Sequence, residues 1–134
     1  MLYKSSGTLV YSPKTKDELK SSNDWAIVSC AHSIGQYYRA LYHQEFFYKP
    51  KLIQPIWSSH ISFIRNENIN NPSLWRFAEN KVINFEYEPG VKNNNKYFWL
   101  TVYCDELLAI RELYGLNREP KYGLHLTIGI VSNN

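Results

Sequence analysis

The sequence predicts an α+β fold built from two similar half-units. Three observations predict it. Apolar, β-branched and aromatic residues alternate with polar ones in several short runs, which is the period of a half-buried strand. Two longer stretches place apolar residues at helical spacing instead. The order strand, cysteine, helix, histidine-bearing strand occurs twice, first through Cys30 to His60 and again through Cys104 to His125. Arg39, Leu41 and Tyr42 in the first helical stretch match Arg111, Leu113 and Tyr114 in the second at one constant spacing.

Taken in order, Gly7 to Tyr11 reads as a short strand stopped by Ser12-Pro13. Lys14 to Asn23 is polar and is expected to be a loop or a short helical turn. Asp24 to Cys30 is a second strand. Ile34, Tyr37, Tyr38, Leu41 and Tyr42 then form a stripe at helical spacing, giving a helix over Ser33 to Tyr42. Phe46 to Trp57 contains Pro50 and Pro55 and reads as an irregular connection. His60 to Ile64 is a strand. Asn70-Asn71-Pro72-Ser73 breaks the chain and opens a short helix through Phe77. Val82 to Tyr87 and Lys96 to Tyr103 are strands, joined by a loop carrying Pro89-Gly90 and Asn93 to Asn95. Asp105 is placed as the N-cap of a helix running to Leu113, with Gly115 as its stop. His125 to Ile130 is the last strand.

The 134 residues fit one domain over positions 1–134, and a chain 44% hydrophobic can bury a core. A net charge of +3 tolerates an anionic ligand but lacks the dense basic patch of a duplex-DNA-binding protein. No run approaches membrane-spanning length, and the first residues lack the apolar core of a signal peptide. A cytoplasmic protein is therefore expected. Cys30 and Cys104 lack zinc-site spacing and read as buried free thiols. Oligomeric state is left open.

The chemistry concentrates in two strands. In His60-Ile61-Ser62-Phe63 and His125-Leu126-Thr127-Ile128, alternation puts each histidine and the hydroxyl two residues on upon one face. The other face is apolar. Two imidazoles beside two hydroxyls suit general acid–base catalysis on a phosphodiester: one imidazole takes a proton, the other gives one, and the hydroxyls donate to non-bridging phosphate oxygens. The sequence does not say which histidine is the acid.

These paired motifs resemble those of the 2H phosphoesterase superfamily. Pro55 to Arg65 and Gly123 to Gly129 are similar to the two motif segments of small phage members, and Phe85 to Val91, Tyr97 to Val102 and Tyr37-Tyr38-Arg39 are similar as well. The resemblance covers Trp25 to Gly129. It implies a bilobal fold in which two pseudo-symmetric antiparallel sheets line a central cleft, with helices outside. It also implies a metal-independent phosphodiesterase without cofactor, acting on the cyclic di- or trinucleotide messengers of a bacterial defence (anti-CBASS activity). Opening of RNA 2′,3′-cyclic phosphates is a second implied activity, and sequestration of a nucleotide without turnover is the non-enzymatic alternative. His60 and His125 would be catalytic, and Ser62 and Thr127 would bind phosphate.

Four further residues are candidates for substrate contact. Arg65 can neutralise a phosphate, yet strict alternation sets it opposite His60, so it needs a bulge or a strand end to reach the cleft. Trp57 precedes the strand and either stacks on a base or packs. Tyr38 lies in the helical stripe. Few residues follow Thr127, so Tyr11 on the first strand is a candidate to close the pocket. His32 and His43 have no partner motif and are expected on the surface. No acidic or cysteine ligands accompany the paired histidines at metal-site spacing.

Overall fold

The computed structural model describes residues 1–13, 25–55 and 57–132. The expected loop or helical turn over Lys14 to Asn23 lies outside the described residues, as does Asp24 at the start of the second strand. The elements are β1 (Tyr3–Tyr11), β2 (Trp25–Cys30), α1 (His32–Phe46), β3 (Leu52–Ile53), β4 (His60–Arg65), β5 (Val82–Tyr87), β6 (Lys92–Asn93), β7 (Tyr97–Tyr103), α2 (Asp105–Leu113) and β8 (His125–Val131), with one 3₁₀ turn at Pro72–Leu74.

Eight strands form one sheet in the order β3-β8-β4-β2-β1-β5-β7-β6, and β7 also pairs with β8. That pairing closes β8, β4, β2, β1, β5 and β7 into a six-strand antiparallel barrel. The expectation of two separate sheets is corrected: the sheet is continuous. The long polar-ended β1 is the reason. Its residues Tyr3 to Thr8 pair with β5 and Gly7 to Tyr11 pair with β2, so one strand stitches both half-units together. The alternation of Gly7 to Tyr11 was visible in the sequence, but the polar start of the strand is held by its ladder and by Tyr3 packed edge-on against Tyr87.

Alternation sorts the barrel into two faces. Leu9, Val28, Ile61, Phe63, Ile83, Phe85, Leu100, Leu126 and Ile128 are buried in one core cluster. Leu107, Leu108, Ile110 and Tyr114 from α2 and its end, and Tyr38 from α1, join that cluster. Burying a Leu or Ile side chain contributes roughly 1.5–3 kcal/mol, so this shared cluster is the main stabilising feature. The two long helices start and stop near the expected positions, with two differences, and the short helix expected through Phe77 is a single 3₁₀ turn that ends at Leu74. Cys104, in extended conformation, is the N-cap of α2 and Asp105 is its first helical residue, so the Asp105 carboxylate sits in the first turn. The helix α1 runs on to Phe46, because the chain meets no proline until Pro50. The short strand β3 was missed between its two prolines; it exists because β8 offers an edge at Ile130 and Val131.

The internal echo has a structural counterpart. The register slips once between β2 and β4, leaving Phe63 as an extra residue, and once between β7 and β8, leaving Ile128 extra. Each lies three residues after its motif histidine. A bulge frees a carbonyl from the ladder, and a buried carbonyl needs a donor. Arg111 donates to the Phe63 carbonyl at 2.7 Å, and Arg39 donates to the Ile128 carbonyl at 2.6 Å. Thus each helix secures the bulge of the other half-unit's histidine strand.

Candidate active site

The two histidine strands are direct antiparallel neighbours. His60 lies opposite Thr127 and Ile61 opposite Leu126, so the next step of the register sets Ser62 opposite His125. Two histidines and two hydroxyls therefore occupy one outward face as a square, with like groups on the diagonals. Side chains directly opposite on such a face have Cβ atoms about 5 Å apart. The outer strands extend the square, since Ser29 on β2 is opposite His60 and Thr101 on β7 is opposite His125. Each imidazole thus lies between two hydroxyl-bearing positions.

Backbone carbonyls orient both rings. His60 Nδ1 lies 3.0 Å from the carbonyls of Trp57 and of Ser58. His125 Nδ1 lies 3.1 Å from the Gly123 carbonyl. A nitrogen facing a carbonyl carries the proton, so Nε2 of each ring remains for proton transfer. The left-handed φ of +71° at Gly123 makes the turn that brings its carbonyl back under His125, and no Cβ resists it. The turn before His60 is pinned to α1. Ser59 is buried and accepts the Gly35 N–H at 2.8 Å, while Ser58 Oγ and His32 Nδ1 share a hydrogen bond of 2.5 Å. A Cβ at Gly35 would stand 2.6 Å from Ser59 Oγ, so this close approach requires glycine.

The two imidazoles differ in environment. His60 is only 9% exposed, whereas His125 is half-buried. Burial pushes the His60 pKa down to about 4; the Ser58 and Trp57 carbonyls oppose the shift, and His125 and Arg65 add to it. Neutral His60 is therefore the form present near neutral pH.

Indoles flank both rings. Trp25 stands edge-on to His60 at 5.8 Å, and Trp99 lies 5.9 Å from His125. Trp25 also donates its indole N–H to Ser62 Oγ at 2.9 Å, which leaves the Ser62 hydroxyl proton free to donate outward. Lys92 donates to Thr101 Oγ1 at 2.8 Å, and its ammonium also lies 3.4 Å from the Glu88 carboxylate, which offsets its charge.

Among the remaining candidates, Arg65 reaches the histidine face. The bulge at Phe63 restores it to the side of Trp25, and its guanidinium lies 4.0 Å above the Trp25 ring. Trp57 is half-buried, packs edge-on to Trp25 at 6.4 Å, and so borders the same face. Tyr11 and Tyr38 do not reach it, which corrects both expectations. Tyr11 is 2% exposed and shares a hydrogen bond with the Tyr114 hydroxyl, while Tyr38 is 5% exposed and donates to the Tyr87 hydroxyl. Both rings satisfy their hydroxyls inside the core, where apolar contacts hold them. His32 is exposed as expected, but His43 is half-buried: its Nε2 accepts the Leu52 N–H at 2.8 Å and ties α1 to β3. Cys30 and Cys104 are free and buried.

Two cavities open on either side of His125. One, of about 570 Å³, is lined by Asn94, Tyr97, Trp99, Tyr122, His125 and Thr127. The other, of about 530 Å³, includes Ser62, Arg65, Glu67, Lys121, Tyr122 and His125. Trp25, Ser29, Trp99, Thr101 and Tyr122 were not picked out in the sequence. Matching alternation in β2 and β7 was the available signal for Ser29, Trp99 and Thr101. Among the described residues, no three His, Cys, Asp or Glu side chains gather where they could share a metal ion, and no helix is long and apolar enough to cross a membrane. Comparison with known protein families, with curated proteins and with solved structures finds no match.

Proposed function

We propose that this protein is a phosphodiesterase of the 2H kind, in which His60 and His125 act as a base–acid pair on an RNA-type phosphodiester. The observation that carries the reading is the square of two histidines and two hydroxyls on adjacent antiparallel strands, both rings presenting Nε2. A phosphate over the square meets donors from Ser62 and Thr127 and a cation in Arg65. Neutral His60 takes the proton of the substrate's 2′-hydroxyl, and the 2′-oxygen attacks phosphorus. The bond from phosphorus to the 5′-oxygen breaks as protonated His125 gives that oxygen its proton. The products are a 2′,3′-cyclic phosphate and a free 5′-hydroxyl. An internal nucleophile comes already oriented, which favours the 2′-hydroxyl over water.

The substrate class in this proposal is a cyclic di- or trinucleotide messenger, in the cytoplasm of a phage-infected bacterium. Support comes from the motif resemblance and from the cavities flanking His125, which offer room for more than one nucleotide unit. The test is incubation with cyclic dinucleotides, cyclic trinucleotides, short RNAs and 2′,3′-cyclic mononucleotides, each in excess EDTA, followed by chromatography. Linearised cyclic oligonucleotides are the expected product. Turnover of the cyclic mononucleotides alone would reassign the protein to RNA-end processing. Tight binding without any product would make it a sequestering protein, and cleavage abolished by EDTA but restored by Mg²⁺ or Mn²⁺ would overturn the metal-free mechanism.

A further inference from the structure

We propose that the cavity walled by Tyr97, Trp99 and Tyr122 is the subsite for the nucleobase of the leaving nucleoside, the one whose 5′-oxygen takes a proton from His125. The assignment rests on the two-histidine reading of the site and gives the cleft a direction.

Three features carry it. First, the lining is aromatic. Tyr97 is 44% exposed and Tyr122 is 80% exposed, and the Trp99 ring lies 5.9 Å from His125. Exposed flat rings around a cavity of about 570 Å³ offer stacking surfaces to a planar heterocycle. Second, Asn94 supplies an edge reader. Its Oδ1 accepts the backbone N–H groups of Lys96 at 3.1 Å and Tyr97 at 2.8 Å, which fixes the amide with its NH₂ as the group left to donate to a base acceptor. Third, His125 lines this cavity and the second one alike, so the unit whose 5′-oxygen it protonates lies beside one of them, and the aromatic wall with Asn94 selects this one for the base. His60 is more deeply buried and does not line it. The second cavity, with Arg65 and Lys121 among its lining residues, suits the next phosphate of the chain rather than a base.

Two measurements test the proposal. The first is independent of turnover: adenosine 5′-monophosphate is titrated into the protein and followed by NMR at the indole N–H signals. The Trp99 signal is expected to move, with about tenfold weaker affinity in Tyr122→Ala. Absence of any shift, or shifts confined to Trp57 and Trp25, overturns the subsite. The second compares kcat/KM for a dinucleoside monophosphate with that for a nucleoside 3′-aryl phosphate, which carries no leaving base. In Tyr122→Ala the ratio should fall about ten- to hundredfold, and Tyr122→Phe, which keeps the ring, should restore it. An unchanged ratio, including one in which both rates fall together, overturns the assignment to the leaving side. Adenosine 5′-monophosphate binding at Trp99 with no turnover of either substrate would sustain the base subsite and sink the phosphodiesterase reading instead.

Discussion

At His60 burial sets the protonation state that the proposed base needs. A neutral imidazole with Nδ1–H held by carbonyls and Nε2 free is a ready proton acceptor. With its pKa near 4 in the free protein, the acid limb of kcat/KM should lie about there, well below the ordinary histidine range. A bound phosphate favours the protonated imidazole, so the corresponding limb of kcat should sit higher. Steady-state pH profiles check both limbs, read as properties of the coupled pair; a limb of kcat/KM at the ordinary histidine value would show that His60 is not the buried base. Replacing either histidine by alanine should cost about 10²–10⁴-fold in turnover of a dinucleotide. The two variants should then diverge on an aryl ester, whose leaving group needs little protonation. There His60→Ala should keep its full loss and His125→Ala should lose far less. The reverse pattern would exchange the acid and base assignments.

The candidate site lies on β4 and β8, and what makes them a matched pair is their bulges. A regular strand would carry Arg65 away from the histidines; the extra residue Phe63 brings it back above Trp25. The cost of the bulge is a carbonyl without a ladder partner, which Arg111 satisfies while 1% exposed, together with the Asn117 carbonyl and both carboxylate oxygens of Glu67. Removing one member of such a buried network leaves the others unpaired. Arg111→Ala should therefore destabilise the fold by about 3–5 kcal/mol in urea denaturation, whereas Arg118→Ala, in its exposed ion pairs, should leave the midpoint nearly unchanged. Equal effects of the two substitutions would mean that the bulge does not depend on Arg111.

At the scale of the whole molecule, acid should weaken the fold in two successive windows. His60 takes up its proton near pH 6.5 when unfolded but only near pH 4 when folded. Between those values the unfolded chain binds more protons, so stability falls as pH falls, by about 3 kcal/mol in all. Glu67 is held below its ordinary carboxyl value of 4.5, chiefly by its hydrogen bonds to Arg111. Its contribution is present above that value and is lost as pH drops through the lower folded value, so it extends the decline further into acid. Urea midpoints measured from pH 7 downward should show both windows. His60→Gln should flatten the first and Glu67→Gln the second. A wild-type midpoint that holds constant from pH 7 to pH 4 would show His60 open to solvent.

The sequence by itself determined the strands that carry the site, the face on which each motif side chain lies, and the pairing of a histidine with a hydroxyl. Those are period-two properties of single segments, set by where each segment buries its apolar side. His60, Ser62, His125 and Thr127 were legible for that reason. Tertiary structure decided what register and closure decide. The six-strand barrel replaced two separate sheets because β1 pairs along both edges. A one-residue bulge put Arg65 on the histidine face, and neighbouring registers added Ser29, Trp99 and Thr101. Tyr11 and Tyr38 turned inward because partners on distant elements, Tyr114 and Tyr87, offered buried hydroxyls. The proposed division into base and acid rests on depth of burial, a property of the packed molecule and not of any local pattern: His60 is 9% exposed and His125 is half-buried.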